Sequence, residues 1–281
     1  SASAGGFVEP LVAIGCANEE SGDLHTQDAD GILGLSNSPL SVHSQLVAKG
    51  AMDDVFALCL GAGSHEASEG YLVLGGSGLD AAETEPEWVP LLGPSEDHFY
   101  RLPLAEITVL GPQGSEARIR ASPSGAILDS GTTYTYLEPI LYNAFRDSVL
   151  GGAQAELALV TPHNVCWEAP VTPTGAGGRP RWEDLSGHFP EIVLGFGSLE
   201  DEAGTAAQVR FRPQNYLFWH PGARSQVCLG VFSAGRVGGD SLLGGVMMRD
   251  MLVVFDKSGS RVGFAPASCG DDEPPGDGGA L

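Results

Sequence analysis

The sequence predicts an all-β protein with few short helices, arranged as two lobes. Its apolar runs are short and partly alternating, and Gly or Pro closes them, which is the pattern of strands whose two faces pack differently. Its composition, with 40 Gly, 19 Pro, 42% hydrophobic and only 18% charged residues, suits many strands joined by tight turns and lies far from the charge-rich signature of disorder. Its length, 281 residues, exceeds what one compact core usually organises.

Along the chain, Ser1–Phe7 reads as a loop leading into a strand over Phe7–Ile14, and the absence of both an initiator methionine and a charged-then-apolar leader predicts further sequence upstream. A helix is expected over Pro39–Lys49, with Ser38 as its cap, Pro39 in its first turn and Gly50 just past its end. Tyr71–Leu74, Leu104–Leu110 and Ala126–Leu128 read as strands. Between the first two, Pro90–Asp97 mixes Pro, Gly and charge and marks the boundary between a first lobe in residues 1–95 and a second in residues 96–269. A second helix is predicted from Pro139 to Leu150, with Leu141, Ala144, Phe145 and Val149 on one stripe and Gly151 as its stop. Thr172–Arg179 and Glu200–Ala207 are small, polar and Gly-containing and read as surface loops. Leu252–Asp256 and Arg261–Ala265 flank the turn Lys257-Ser258-Gly259-Ser260 as a hairpin. Residues 270–281 are acidic, rich in Pro and Gly, and too polar to pack, so they read as a disordered tail.

A net charge of −22 argues against nucleic acid or an anionic membrane as partner, because either surface would repel the chain and no basic run offsets the repulsion. No apolar run reaches the ~18 residues of a membrane-spanning helix. The five cysteines, Cys16, Cys59, Cys166, Cys228 and Cys269, form none of the close pairs that zinc or redox motifs need, and neither a metal nor another cofactor is expected. Wide spacing suits disulfides made in a secretory compartment. The odd count leaves one thiol free, paired outside the chain, or paired with a portion the chain lacks.

One segment carries chemistry. Ala126-Ile127-Leu128 drives into Asp129-Ser130-Gly131-Thr132-Thr133, so an apolar strand delivers a carboxylate to a turn of small hydroxylated residues and Gly. A carboxylate at the end of a buried strand is costly unless hydrogen-bonded, and Ser130, Thr132, Thr133 and the backbone N–H groups around Gly131 are the available donors. A bare Asp-Ser-Gly is more often an Asx turn ending a strand, so the weight rests on what flanks it. A hydrophobic-hydrophobic-Gly triplet occurs twice, at Ile32-Leu33-Gly34 and at Leu242-Leu243-Gly244.

Taken together, Ala126–Leu137 (AILDSGTTYTYL), Asp30–Leu46 (DGILGLSNSPLSVHSQL), Tyr100–Leu110 and Leu242–Ala265 (LLGGVMMRDMLVVFDKSGSRVGFA) resemble, in order, segments of the pepsin-like aspartic protease family, especially its plant-type branch. The resemblance implies a bilobal pepsin-like fold with the first lobe partial, and an endopeptidase acting on polypeptides through a water held between two aspartates, one of them Asp129. Ser130, Gly131, Thr132 and Thr133 would support that turn. The same resemblance implies a Cys166–Cys228 disulfide and a first-lobe Cys16–Cys59 bridge, leaving Cys269 for a partner upstream. It further implies a secreted or vacuolar protein, monomeric when full length. No second Asp-Ser/Thr-Gly triplet exists in these 281 residues; Glu20-Ser21-Gly22 follows polar residues instead of an apolar strand and reads as a surface turn. The chain by itself is therefore expected to be inactive. The alternative reading is an inactive pepsin-fold protein that binds a protein or peptide partner. Gly245 departs from the polar residue that many relatives carry after the triplet.

Overall fold

The computed structural model describes residues 10–16, 18–19, 31–62, 70–76, 84–93, 98–122, 124–153, 159–161, 165–169, 181–197, 205–223, 225–235 and 240–270. Strands dominate, and among the described residues they form four sheets. The first takes β1 (Val55–Leu60), β2 (Gly70–Leu74) and β3 (Glu87–Pro90) from the first third of the chain, and β17 (Met251–Asp256) and β18 (Arg261–Pro266) from its end, in the order β2-β1-β17-β18-β3. The C-terminal hairpin thus occupies the middle of a sheet whose outer strands come from residues 55–90. Its sequence explains this place: Met251 to Phe255 are buried without alternation, as a strand paired on both edges and covered on both faces requires. Phe56 of β1 stacks on Phe255 of β17 at 4.5 Å between ring centroids, and Tyr100 meets Phe255 edge-on at 4.7 Å. Such pairs contribute about 0.5–1.5 kcal/mol each beyond the area they bury.

The second sheet positions the site. It runs β15 (Val231–Ser233), β8 (Thr135–Leu137), β16 (Ser241–Gly244), β7 (Ala126–Asp129), β4 (Tyr100–Leu102). β16 lies parallel to β7 and places Gly244 beside Asp129, while β4 pairs with β7 on the other side. The third sheet, β12 (Thr205–Phe211), β11 (Glu191–Gly197), β5 (Leu104–Leu110), β6 (Glu116–Arg120), is antiparallel throughout. The fourth runs β13 (Leu217–Trp219), β14 (Gln226–Leu229), β10 (Cys166–Glu168), β9 (Leu159–Thr161). Helix α2 (Pro139–Gly152) buries Leu141, Phe145 and Val149; Pro139 sits in its first turn and the Glu138 carboxylate accepts from the Leu141 N–H. The short α3 (Trp182–Leu185) buries Trp182, whose indole N–H donates to the Ala62 carbonyl at 2.6 Å and so ties the two halves of the chain together.

Several expectations need correction. Pro10–Ile14 forms no strand, and Leu11 and Ile14 are exposed. Helix α1 spans Val42–Ala48 and is capped by Ser41, whose hydroxyl accepts from the Ser44 N–H; Ser38 lies one turn too early. The two hydrophobic-hydrophobic-Gly triplets are not equivalent in structure: Leu242-Leu243-Gly244 lies in β16, and Ile32-Leu33-Gly34 lies outside any strand. β12 begins at Thr205 and so takes the end of the Glu200–Ala207 loop, because Ala207, Val209 and Phe211 are buried in alternation against β11. Thr172–Arg179, Glu20-Ser21-Gly22 and nearly all of the acidic tail lie outside the described residues.

The cysteines also pair differently from part of the expectation. Cys166 and Cys228 face each other across β10 and β14 and are bonded. Cys59 is bonded to Cys269, not to Cys16, and Cys16 is an exposed free thiol. The physical reason is the sheet order: pairing Cys59 of β1 with Leu252 of β17 brings the segment after β18 beside β1.

Candidate active site

Asp129 ends β7, after three buried residues, and is half-buried at the bottom of a cleft of about 280 Å3. One carboxylate oxygen, Oδ1, accepts from the Gly131 backbone N–H at 2.9 Å; the other, Oδ2, accepts from the Thr132 hydroxyl at 2.6 Å. Hydrogen bonds to a carboxylate are charge-assisted, and so are short and directional. The Thr132 N–H also donates to the Asp129 carbonyl at 3.3 Å and closes the turn. Each oxygen is thereby oriented by the turn itself, and Asp129 lines the cleft.

The turn is held from below by β16 and the 3-10 turn that follows it, Gly245–Met248. Gly245 N–H donates to the Thr132 carbonyl at 2.7 Å, Val246 N–H to the Thr133 carbonyl at 3.0 Å, and Gly244 N–H to the buried Thr135 hydroxyl at 3.2 Å. Gly244 passes so close that a Cβ there would stand 2.1 Å from the Tyr134 carbonyl oxygen. The triplet is therefore a glycine needed for backbone contact beneath the turn, and Gly245 alters this support without breaking it.

The cleft is walled by Ile32–Ser36, by Phe56 and Leu58 of β1, by His98–Tyr100 and by Phe255. The Tyr100 hydroxyl donates to the Leu35 carbonyl at 2.6 Å and pins that wall; burial, with the Asp54 charge behind it, pushes the phenol well above its ordinary range, so it stays a neutral donor. Ile32, Leu33 and Phe99 are more than half exposed around the cleft mouth. Among the described residues that line the cleft, Asp129 meets no second carboxylate.

Of the predicted turn residues, Gly131 and Thr132 hold the carboxylate. Ser130 lines both the cleft and a second cavity, and Thr133 lines only the second. Sequence reasoning missed Arg249, which is largely desolvated and also lines that cavity, and Asp250, whose carboxylate accepts from the Ala62 N–H at 3.0 Å. The signal was present as an Arg-Asp pair interrupting the apolar run from Val246 to Phe255.

Among the described residues no group of three or more His, Cys, Asp or Glu side chains has the arrangement to hold a metal, and no helix is long and apolar enough to cross a membrane.

Comparison with known proteins identifies the family. The family model described as "Xylanase inhibitor C-terminal" matches residues 99–266, and "Xylanase inhibitor N-terminal" matches residues 3–76. Aspartic proteinase 39 of Arabidopsis thaliana is 27% identical over 265 residues, 92% of this chain and 49% of that protein. Aspartic proteinase nepenthesin-1 of Nepenthes gracilis is 26% identical over 275 residues, 93% of this chain and 55% of that protein. The crystal structure of basic 7S globulin from soybean superposes with a TM-score of 0.62 at 20% identity, over 85% of this chain and 60% of that one. The chain spans about half the length of the curated relatives it matches.

Proposed function

For a chain that belongs to the pepsin-like aspartic protease family, we propose aspartic-type endopeptidase chemistry in which Asp129 is one of the two carboxylates that activate water against a peptide bond. The observation that carries this reading is the Asp129 carboxylate, held at both oxygens by Gly131 N–H and Thr132 hydroxyl and facing an apolar cleft. One carboxylate of such a pair takes the water's proton while the other, protonated, hydrogen-bonds the scissile carbonyl oxygen; two close carboxylates share a proton because like charges at contact cannot both ionise. That coupling in aspartic proteases is a general one and assigns no value here. The second carboxylate is not supplied by a matching turn in these 281 residues, so the reading concerns the complete protein, and the chain alone is inactive.

The same reading gives a polypeptide substrate, a monomer when complete, and a secreted or vacuolar location, which the two disulfides support. It divides the chain into parts of two lobes, residues 1–95 and 96–269. A decisive test compares complete wild-type protein with Asp129→Asn on a denatured protein substrate at acidic pH. Activity should be abolished in the variant; a variant that cleaves as fast as wild type refutes the role of Asp129.

A second reading is favoured by the names of the matching families, which describe xylanase inhibitors: a pepsin-fold protein that keeps the cleft for binding and has lost catalysis. The two part at the sequence upstream of Ser1. An apolar strand ending in Asp-Thr-Gly or Asp-Ser-Gly there supports the enzyme, and its absence supports the binder.

A further inference from the structure

Helix α1 has 7 residues, too few to be stable by itself in water, so it persists only while docked on the fold. His43 is the one side chain of the helix that is fully buried. Its ring meets Phe56 of β1 edge-on at 5.2 Å between centroids, and its Nε2 donates to the Val55 carbonyl at 3.1 Å. A carbonyl only accepts, so that bond fixes the tautomer and leaves a lone pair on Nδ1. Nδ1 faces another acceptor, Asp54 Oδ1, at 3.6 Å, and among the described residues neither atom has a hydrogen-bond partner.

A proton added at Nδ1 would join the two acceptors, but the surroundings do not suit the cation it creates. From the turn between β17 and β18, the nearly buried Lys257 ammonium already stands 3.4 Å from the same Asp54 oxygen and donates to the Ser44 hydroxyl of α1 at 2.7 Å. The neighbouring Asp256 carboxylate is taken by Arg261. Asp54 and the Val55 and Asp53 carbonyls favour a charged imidazole, while β4 brings only Tyr100, a neutral phenol beyond Phe56. Protonation therefore sets two largely desolvated cations against one carboxylate, in the first turn of a helix where positive charge is unfavourable. We propose that α1 is an acid-released helix, held against the first sheet by neutral His43 and let go when Nδ1 takes up a proton and the imidazolium moves out to water. Acid then opens Val42–Ala48 locally while the sheets stay intact. Burial, the largest influence on His43, lowers its imidazole below the ordinary 6.5, which is the direction that release requires. The device rests on α1, β1 and the C-terminal hairpin, and it does not depend on whether Asp129 is catalytic.

Amide hydrogen exchange of the complete protein between about pH 7 and about pH 5, read residue by residue and corrected for the intrinsic rate at each pH, tests the proposal. Below pH 6.5 the protection of the α1 amides, among them Gln45 N–H on the Ser41 carbonyl, should fall by up to about tenfold per pH unit, while amides paired between β5 and β11 keep theirs. In His43→Leu, which keeps an apolar side chain in the slot, α1 protection should no longer vary with pH. In Lys257→Met, which removes the competing cation, the total fall should be smaller. Should either variant fail to fold, the wild-type titration still decides. Constant α1 protection across the range, a fall in step with β5 and β11, or an undiminished fall in either variant overturns the proposal.

Discussion

Gly244→Ala should destabilise the protein by about 3 kcal/mol, while Gly245→Ala, one residue on, should cost less than about 1 kcal/mol. The contrast follows from geometry. A Cβ on Gly244 would lie 2.1 Å from the Tyr134 carbonyl oxygen and 2.6 Å from that of Thr132. Ordinary contact begins near 3.5 Å, so one strand must yield by more than about 1 Å. Both obstacles are backbone, and neither is free to move: β16 is in parallel register with β7, and the Thr132 carbonyl already accepts from Gly245 N–H at 2.7 Å. Overpacking of this kind costs about 1–3 kcal/mol, and separating the strands exposes or orphans a buried hydrogen bond at a further cost of about 1–3 kcal/mol. On Gly245 the nearest atom to a Cβ is the Ser130 carbonyl oxygen at 3.5 Å, which is ordinary contact. Urea unfolding followed by tryptophan fluorescence measures both variants against wild type. Equal midpoints for the two, or a Gly244→Ala loss below about 1 kcal/mol, would refute the claim that the close pass beneath the turn demands glycine.

Two further outcomes are expected. Replacing Cys59 and Cys269 by Ala should lower the urea midpoint more than replacing Cys166 and Cys228, because the first link closes 210 residues and the second 62; chain-entropy estimates are about 5 and about 4 kcal/mol, and a reversed order would show that strain or residual structure governs instead. His43 is buried with Nε2 donating to the Val55 carbonyl at 3.1 Å and Nδ1 facing Asp54 at 3.6 Å, and Asp54 also meets Lys257 at 3.4 Å. Burial is the largest influence and lowers the imidazole below its ordinary 6.5, Lys257 adding to it and Asp54 opposing. A base with a lowered folded value contributes stability that is full above the unfolded value and is lost as pH falls through the folded one. Wild type should therefore lose stability on acidification below pH 6.5 with a slope of at most about 1.4 kcal/mol per pH unit from this group, and His43→Gln should flatten that part of the curve; parallel curves would exclude His43 as the source.

Where the sequence spoke through local pattern, it was legible. The C-terminal hairpin, β5 and the body of α2 follow directly from apolar spacing and turn residues, and the Asp129 turn sits at the end of a strand as its flanks imply. Misreadings came where distant partners decide. Ser38 and Ser41 are both plausible caps for α1, and only the backbone path selects Ser41. Thr205–Ala207 looks like loop until β11 offers it an edge. The Cys59–Cys269 link is invisible without the sheet order, since neither spacing nor flanking residues bring two ends of the chain together. Arg249 was overlooked because the apolar run around it reads simply as core, whereas the cavity it lines exists only once Leu60 and Gly61 arrive from the first third of the chain.

The placement of the C-terminal hairpin at the centre of the first sheet carries a kinetic consequence. β1 and β3 are not neighbours; the two strands between them come from residues 251–266. Until residue 266 is available the early strands have no partner on that side, and they must wait as open edges while the rest of the chain is synthesised. Closing contacts between residues so far apart in sequence is slow for entropic reasons, and exposed edges in the interval invite pairing with other chains. Assembly of this sheet thus waits on residues 251–266, and the Cys59–Cys269 bond fastens β1 to the segment that follows β18.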